Sequence, residues 1–117
     1  MGDLKLLRQI ALCDKEFKIT QVTATYTPTK FTSQLSYPKG RKIFIAYNAT
    51  SDTASGEAMW GASDLNPALL NGMPIPIGAW VAIPVAYDDV PDETEFDIYF
   101  CSNTSGEIAD LRIFEGA

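Results

Sequence analysis

Histidine is absent from this sequence, which removes the commonest metal ligand and the side chain that most often acts as a general base. No serine or cysteine can then be paired with a histidine base, so catalysis by a triad is excluded. Glycoside hydrolysis needs only two carboxylates, but nothing in the sequence singles out a pair from the four candidates, Glu57, Asp64, Asp110 and Glu115. We predict that the protein is not an enzyme and carries no cofactor.

Cysteine is scarce, and a secretory signal is not recognisable. The two cysteines, Cys13 and Cys101, lie far apart in sequence, and we predict reduced thiols of which at least one is buried. The N-terminal residues lack the apolar stretch and small-residue cleavage site of a signal peptide, so we expect the chain to stay in the cytoplasm where it is made. The two glycosylation sequons, at Asn48 and Asn103, are then interpreted as polar turns.

Long apolar runs are missing, and positive charge is confined to one half of the chain. No run approaches the ~18 residues of a membrane-spanning helix, so we predict no membrane association. Residues 1–50 hold eight Lys/Arg and three Asp/Glu, whereas residues 51–117 hold one and twelve, within a net charge of −6. Nucleic-acid binding is not expected, because a phosphate-binding domain is usually basic. Either the halves interleave in the fold, or they form a two-signed surface that orients the molecule against copies of itself or a larger partner.

What the sequence has in abundance is short apolar segments separated by turn residues. Five such runs lie between residues 41 and 115, and each is rich in β-branched or aromatic side chains, as strands are. They recur about every ten residues, a spacing typical of antiparallel β-sandwiches. We predict an all-β protein with one domain over residues 1–117, an antiparallel β-sandwich of jelly-roll or related Greek-key type.

Individual segments carry more specific predictions. Residues 41–49 form the clearest strand, and their continuous apolar centre favours a central position or burial on both faces. Residues 73–78 and 79–85 contain prolines, which remove ladder donors, so both are expected at sheet edges or in connections. Residues 64–72 predict one helical turn, capped by Asp64 and stopped by Asn71 and Gly72.

The first forty residues are less regular. Alternating apolar residues in 4–12 predict a strand that forms a hairpin with residues 17–26, although part of this segment also fits a helical face. Residues 1–12 are therefore either an edge strand or an N-terminal arm. Residues 31–37 predict a further strand with Phe31, Ser33, Leu35 and Tyr37 on one side.

Three features of the sequence are candidate binding sites. Six carboxylates crowd into residues 88–97, but their spacing does not match an EF-hand loop, so we predict a solvated loop and no metal site. Trp60 and Trp80, with Tyr47 and Tyr87, form either core or interface contacts or an aromatic platform for sugars. Arg112 is the one basic residue after Lys42. It either pairs locally with Asp110 or Glu115, which we favour, or makes an ion pair across a subunit interface.

Three segments in a fixed order resemble a known class of proteins. Residues 48–61 lead from an apolar strand ending in Asn, through a Ser/Thr/Gly loop, to a short strand ending in Gly. Residues 72–78 follow with Gly-Met-Pro-Ile-Pro-Ile-Gly, and residues 109–115 close the chain with Ala-Asp-Leu-Arg-Ile-Phe-Glu. Together they resemble small tailed-phage virion proteins of the capsid decoration (cement) type, over roughly residues 41–115.

The resemblance implies a function and partners. It implies a protein of the virion, made in the host cytoplasm, that binds the major capsid protein on the outside of the assembled head as a homodimer or homotrimer. It also implies attachment through the N-terminal arm or a sandwich edge. The residues proposed for capsid or subunit contact are Leu4, Lys5, Leu6, Arg8, Ile10 and Arg112. The alternatives are a β-sandwich component of the tail, neck or baseplate, or a carbohydrate-binding module that works through Trp60 or Trp80.

Overall fold

A computed structural model describes residues 17–35, 43–51, 56–83 and 97–116. These ranges contain eight strands and one short 3-10 helix. The strands are β1 (Phe17–Ala24), β2 (Thr29–Lys30), β3 (Ile43–Asn48), β4 (Ala58–Gly61), β5 (Met73–Ile75), β6 (Trp80–Ala82), β7 (Tyr99–Ser102) and β8 (Ala109–Gly116), and the helix is Pro67–Leu69. Within the described ranges no helix is long and apolar enough to cross a membrane.

The strands form two antiparallel four-stranded sheets packed against each other. The order is β1-β8-β3-β6 in the first sheet and β2-β7-β4-β5 in the second, and every pair is antiparallel. The predicted all-β antiparallel sandwich is therefore confirmed. β3 is central, as its apolar run predicted. β5 and β6 lie at sheet edges, as predicted from Pro74 within β5 and from Pro84 just after β6.

The core lies between the two sheets and contains residues from both. Phe44 of the first sheet stacks on Phe100 of the second with ring centroids 6.3 Å apart. Phe31 meets both rings edge-on, at 5.4 Å and 6.1 Å, which is a favoured aromatic geometry. Burying a side chain of this size contributes about 1.5–3 kcal/mol. The sandwich is therefore held together mainly by apolar burial across its middle.

The basic and acidic halves of the chain interleave in the first sheet. β1 and β3 come from residues 1–50, β8 and β6 come from residues 51–117, and strands of the two halves alternate across the sheet. The first sheet therefore agrees with the interpretation in which the basic and acidic halves interleave in the fold.

The predicted helical turn is present, but its ends differ from the prediction. Asn66, and not Asp64, caps the helix, because its side-chain oxygen accepts from the backbone N–H of Ala68 at 3.0 Å. The helix ends at Leu69, and the C-cap residue Leu70, not Asn71 or Gly72, adopts the left-handed conformation that stops it, with φ of 49°. Asp64 contributes instead through its backbone carbonyl, which accepts from the Asn71 amide at 2.9 Å.

The structure describes the strand predicted over residues 31–37 as far as Leu35. The ladder between β2 and β7 ends at Lys30, and Phe31 adds one backbone hydrogen bond, from its N–H to the Ile98 carbonyl at 2.8 Å. Ser33 and Leu35 are less exposed than Thr32 and Gln34, as residues on one side would be. Beyond Phe31, the backbone donors of Gln34 and Leu35 bind side chains. The N–H of Gln34 donates to a Glu115 carboxylate oxygen at 3.1 Å, and the N–H of Leu35 donates to the Ser33 hydroxyl at 3.2 Å.

The described residues leave the N-terminal predictions untested. β1 begins at Phe17 and pairs with β8, and the hairpin partner predicted over residues 4–12 lies outside the described ranges. The same holds for Cys13 and for Tyr37.

Candidate functional site

The candidate site is the face of the first sheet that points away from the sandwich interior. Buried and half-exposed residues alternate along β8, because successive side chains of a strand point to opposite faces. The antiparallel register extends this alternation to β1, β3 and β6. We call this surface the outer face and define it by two central rows, one of Ile19, Phe114, Ile45 and Ala82, the other of Gln21, Arg112, Tyr47 and Trp80.

The first row is apolar across all four strands. Ile19, at the β1 edge, is 64% exposed, and Phe17, two residues before it, is 62% exposed. The Phe17 ring stacks on Phe114 with centroids 5.7 Å apart. Single exposed apolar residues are normal on protein surfaces, whereas contiguous ones mark interaction sites. The outer face therefore has the composition of a contact surface.

The second row is polar at its centre and aromatic at one end. Arg112 forms an ion pair with Asp110 on the same strand, so the favoured prediction of a local pair is confirmed. Asp110 also accepts a hydrogen bond from the Gln21 amide at 3.0 Å. The Gln21 hydrogen bond first, and then Arg112, lowers the pKa of the Asp110 carboxyl. Positive and negative charge are thus balanced within the centre of the face.

The two tryptophans lie on different sheets. Trp60 in β4 is half-buried and packs against the main core, as the core interpretation predicted. Trp80 in β6 is 42% exposed and is the register partner of Tyr47, which is 40% exposed. Trp60 and Trp80 therefore cannot form one platform, whereas Tyr47 and Trp80 are neighbours on the outer face.

The four candidate carboxylates lie in different surroundings. Glu57 and Asp64 are exposed, and Asp110 and Glu115 point to opposite faces of β8. Glu115 is fully buried and accepts hydrogen bonds from the Ser33 hydroxyl at 2.6 Å and the Gln34 N–H at 3.1 Å. This burial was not predicted, although the two-residue alternation places Glu115 on the same side as Leu111 and Ile113.

A second buried polar residue is Asn48, for which the sequence predicts a place in a polar turn. It is fully buried, so its sequon has no exposed amide to glycosylate. Its amide nitrogen donates to the carbonyls of Gly56 and Ile75 at 2.6 Å and 2.9 Å. Its amide oxygen accepts from Thr50 through both the backbone N–H and the hydroxyl. Asn48 is therefore a structural residue.

The remaining candidate sites add no chemistry to the described residues. Residues 17–35, 43–51, 56–83 and 97–116 contain no group of three potential metal ligands. Of the acidic segment only Asp97 is described, and it pairs with Lys30 at 3.2 Å. Cys101 is a free, buried thiol, and burial raises its pKa. Of the proposed contact residues, Arg112 lies on the outer face, and Leu4, Lys5, Leu6, Arg8 and Ile10 fall outside the described ranges.

Comparison with known proteins gives no relative. No protein-family model, no curated protein and no solved structure matches this chain. The likeness to capsid decoration proteins stays a prediction from the sequence.

Proposed function

We propose that this protein is a structural virion protein that binds the outside of an assembled phage head and stabilises it, as a capsid decoration protein does. The observation that carries the proposal is the outer face, where apolar side chains from four neighbouring strands meet solvent. A surface of this kind is a usual site of protein–protein contact. The resemblance of residues 48–61, 72–78 and 109–115 directs the choice among binding proteins towards the virion.

We infer further that the sandwich is a jelly roll. Eight strands form two four-stranded sheets in the orders β1-β8-β3-β6 and β2-β7-β4-β5, and consecutive strands lie in different sheets except for the pair β4 and β5. This arrangement agrees with two nested Greek keys. Jelly rolls recur in viral capsid proteins and in lectins. The fold alone is therefore compatible by analogy with both a virion role and a sugar-binding role. The choice between the two roles depends on the residues of the outer face.

The mechanism follows from linkage. A protein that binds the assembled shell and not the free subunits stabilises the shell by RT ln(1 + [L]/Kd), which is about 2.7 kcal/mol for each site when the free concentration is 100 times Kd. Many sites around one head multiply this contribution. No catalytic residue is needed for such a task. The resemblance adds residues 1–12 to the outer face as the segment that contacts the shell, where Leu4, Leu6 and Ile10 supply apolar contacts and Lys5 and Arg8 supply positive charge.

The test is the abundance of the chain in particles. Gradient-purified particles of the phage that encodes it are digested, and the chain is quantified by mass spectrometry against the major capsid protein. Near-stoichiometric amounts are expected for a decoration protein. A few copies per particle would move the protein to the tail, neck or baseplate, and absence would overturn the virion proposal.

A sugar-binding role is the second candidate, because Tyr47 and Trp80 are adjacent and exposed on the outer face. Paired aromatic rings of this kind can stack on sugar rings. A glycan ligand should quench tryptophan fluorescence, and Trp80→Ala should abolish that response. Trp60→Ala is not a usable control, since Trp60 packs against the core. A matched exposed aromatic control is Phe17→Ala, which should leave glycan binding unchanged.

A further inference from the structure

We propose that the outer face binds the outer face of a second copy of this chain, giving a dimer with two-fold symmetry. The inference rests on the proposed function, because both take the outer face to be a protein-binding surface. It adds the identity of the partner, which is a second copy of the chain. Three properties of the face lead to it, namely its charge, the arrangement of charges on β8, and its size.

The charge balance of the outer face suits contact between like molecules. The chain carries a net charge of −6, so two copies repel each other over most of their surface. The two central rows contain one charged side chain, Arg112, which is neutralised by Asp110. Two copies can therefore approach through this face without bringing uncompensated charge together. A strongly charged partner would gain little from a neutral surface.

The charges on β8 are also self-complementary. Asp110 and Arg112 point outward on one strand, about 7 Å apart along it. Consider a two-fold axis that lies in the plane between the two faces, runs perpendicular to β8 and is level with residue 111. Rotation about this axis reverses the strand direction in the second copy. Arg112 then lies opposite Asp110 of the second copy, and the reverse contact forms by symmetry, as an isologous interface requires.

The same axis accounts for an exposed residue outside the two rows. Ile108 directly precedes β8 and is 57% exposed. It lies two residues before Asp110, and Phe114 lies two residues after Arg112. The symmetry therefore places Ile108 of one copy opposite Phe114 of the other. Apolar contacts would flank the central charge pairs on both sides and exclude water from them.

The size of the face limits the strength of the contact. Two strands of eight residues, one of six and one of three, with a rise of roughly 3.3 Å per residue and a spacing of about 4.8 Å, give a flat area of about 400 Å² before the relief of the side chains is added. Specific interfaces bury roughly 600–1,000 Å² on each partner. The outer face therefore reaches only the lower end of this range, and does so through its side-chain relief and flanking residues such as Ile108, which predicts a weak, reversible dimer.

The test is sedimentation velocity of the full-length chain from roughly 1 to 500 μM. The wild type should move from the chain mass of 12.8 kDa to twice that mass as the concentration rises. Ile19→Glu places a carboxylate on the outer face and should weaken association about tenfold or more. The control is Leu69→Glu, the same type of change at a residue that is 70% exposed. Leu69 lies in the 3-10 helix between β4 and β5 of the second sheet, so this variant should leave association unchanged.

A charge exchange tests the proposed axis. Arg112→Asp puts like charges opposite each other and should weaken the dimer, whereas the double variant Asp110→Arg/Arg112→Asp restores opposite charges and should recover association. Circular dichroism melting of each variant confirms that it is folded. A wild-type monomer at every concentration would leave the face to another occupant, such as residues 1–16 or the shell, and would overturn the proposal. So would a trimer, equal weakening by Ile19→Glu and Leu69→Glu, or failure of the double variant to recover.

The outcomes separate this inference from the proposed function. Abundant copies on particles together with a monomer in solution would overturn the dimer alone. A dimer in solution together with absence from particles would overturn the virion role alone.

Discussion

The side-chain amide of Asn48 donates a hydrogen bond to the backbone carbonyl of Ile75 across 2.9 Å, and this bond joins the two sheets. Asn48 ends β3 in the first sheet, and Ile75 ends β5 at the edge of the second. Both residues are fully buried. A polar link in an apolar interior is stabilising only while every partner is satisfied, which makes Asn48 a sensitive position.

Replacing Asn48 by alanine should destabilise the fold strongly. The carbonyls of Gly56 and Ile75 would lose their donor, and each buried group left without a partner costs about 1–3 kcal/mol. We expect the free energy of unfolding to fall by roughly 2–4 kcal/mol, measured by urea denaturation. The control is Asn103→Ala in the second sequon, where the side chain accepts from the neighbouring Thr104 hydroxyl at the surface. Equal effects of the two substitutions would refute the role of Asn48.

The buried carboxylate of Glu115 provides the second prediction. Ser33→Ala removes the hydroxyl that donates to it at 2.6 Å, and loss of one partner of a buried hydrogen bond costs about 1–3 kcal/mol. Urea denaturation should show a loss of that order with little change in m-value. Ser105→Ala, at an exposed turn position, should change stability by less than about 0.5 kcal/mol. A neutral Ser33→Ala variant would show that this bond contributes nothing to the fold.

The sequence predicts the strands better than it predicts which of their faces are buried. Continuous apolar residues in β3 and prolines in and near the edge strands are local signals, and both led to correct positions. The partners of Asn48 and Glu115 are not local, since Ser33 and Glu115 are 82 residues apart. β1 likewise has Phe17 and Ile19 on one face and Val22 and Ala24 on the other. Alternation alone does not say which pair meets the second sheet.

The hydrogen bond from Gln21 to Asp110 should be visible in the acid titration of the protein. The pKa of Asp110 lies below its ordinary value of 3.8, first because of Gln21 and then because of Arg112. Gln21→Ala should therefore raise this pKa towards 3.8, as followed by NMR of the carboxyl carbon. Gln34→Ala, whose side chain donates to the Thr32 carbonyl, should leave it unchanged.

The sign of the linked stability change follows from the direction of the shift. A lowered pKa means that the ionised Asp110 stabilises the fold above about pH 3.8 and that this contribution is lost as the pH falls through the lowered value. The difference in unfolding free energy between wild type and Gln21→Ala should thus be present at neutral pH and disappear in strong acid. A difference that grows in acid would contradict this account.

The thiol of Cys101 should be protected in the folded protein. It is fully buried, and burial raises its pKa above the ordinary value of 9.0, so at pH 8 the thiol is neutral and inaccessible. Iodoacetamide labelling with peptide mapping should modify Cys101 slowly in native protein and rapidly in urea. Because the pKa is raised, the fold should also lose stability as the pH rises above 9. Rapid labelling of Cys101 under native conditions would show that the second sheet opens readily.

Deletion of residues 1–12 tests the proposed attachment arm. The described ladders begin at Phe17, and the main core cluster is built from residues 22–113, so the shortened chain should fold and melt cooperatively by circular dichroism. It should nevertheless fail to bind shells that lack the protein, whereas the full chain should bind them saturably and raise their melting temperature. The matched variant Lys5→Glu/Arg8→Glu retains the length of the arm and reverses its charge, so it separates electrostatic attachment from apolar attachment. Normal shell binding by the folded deletion variant would move the attachment surface from the arm to the sandwich itself.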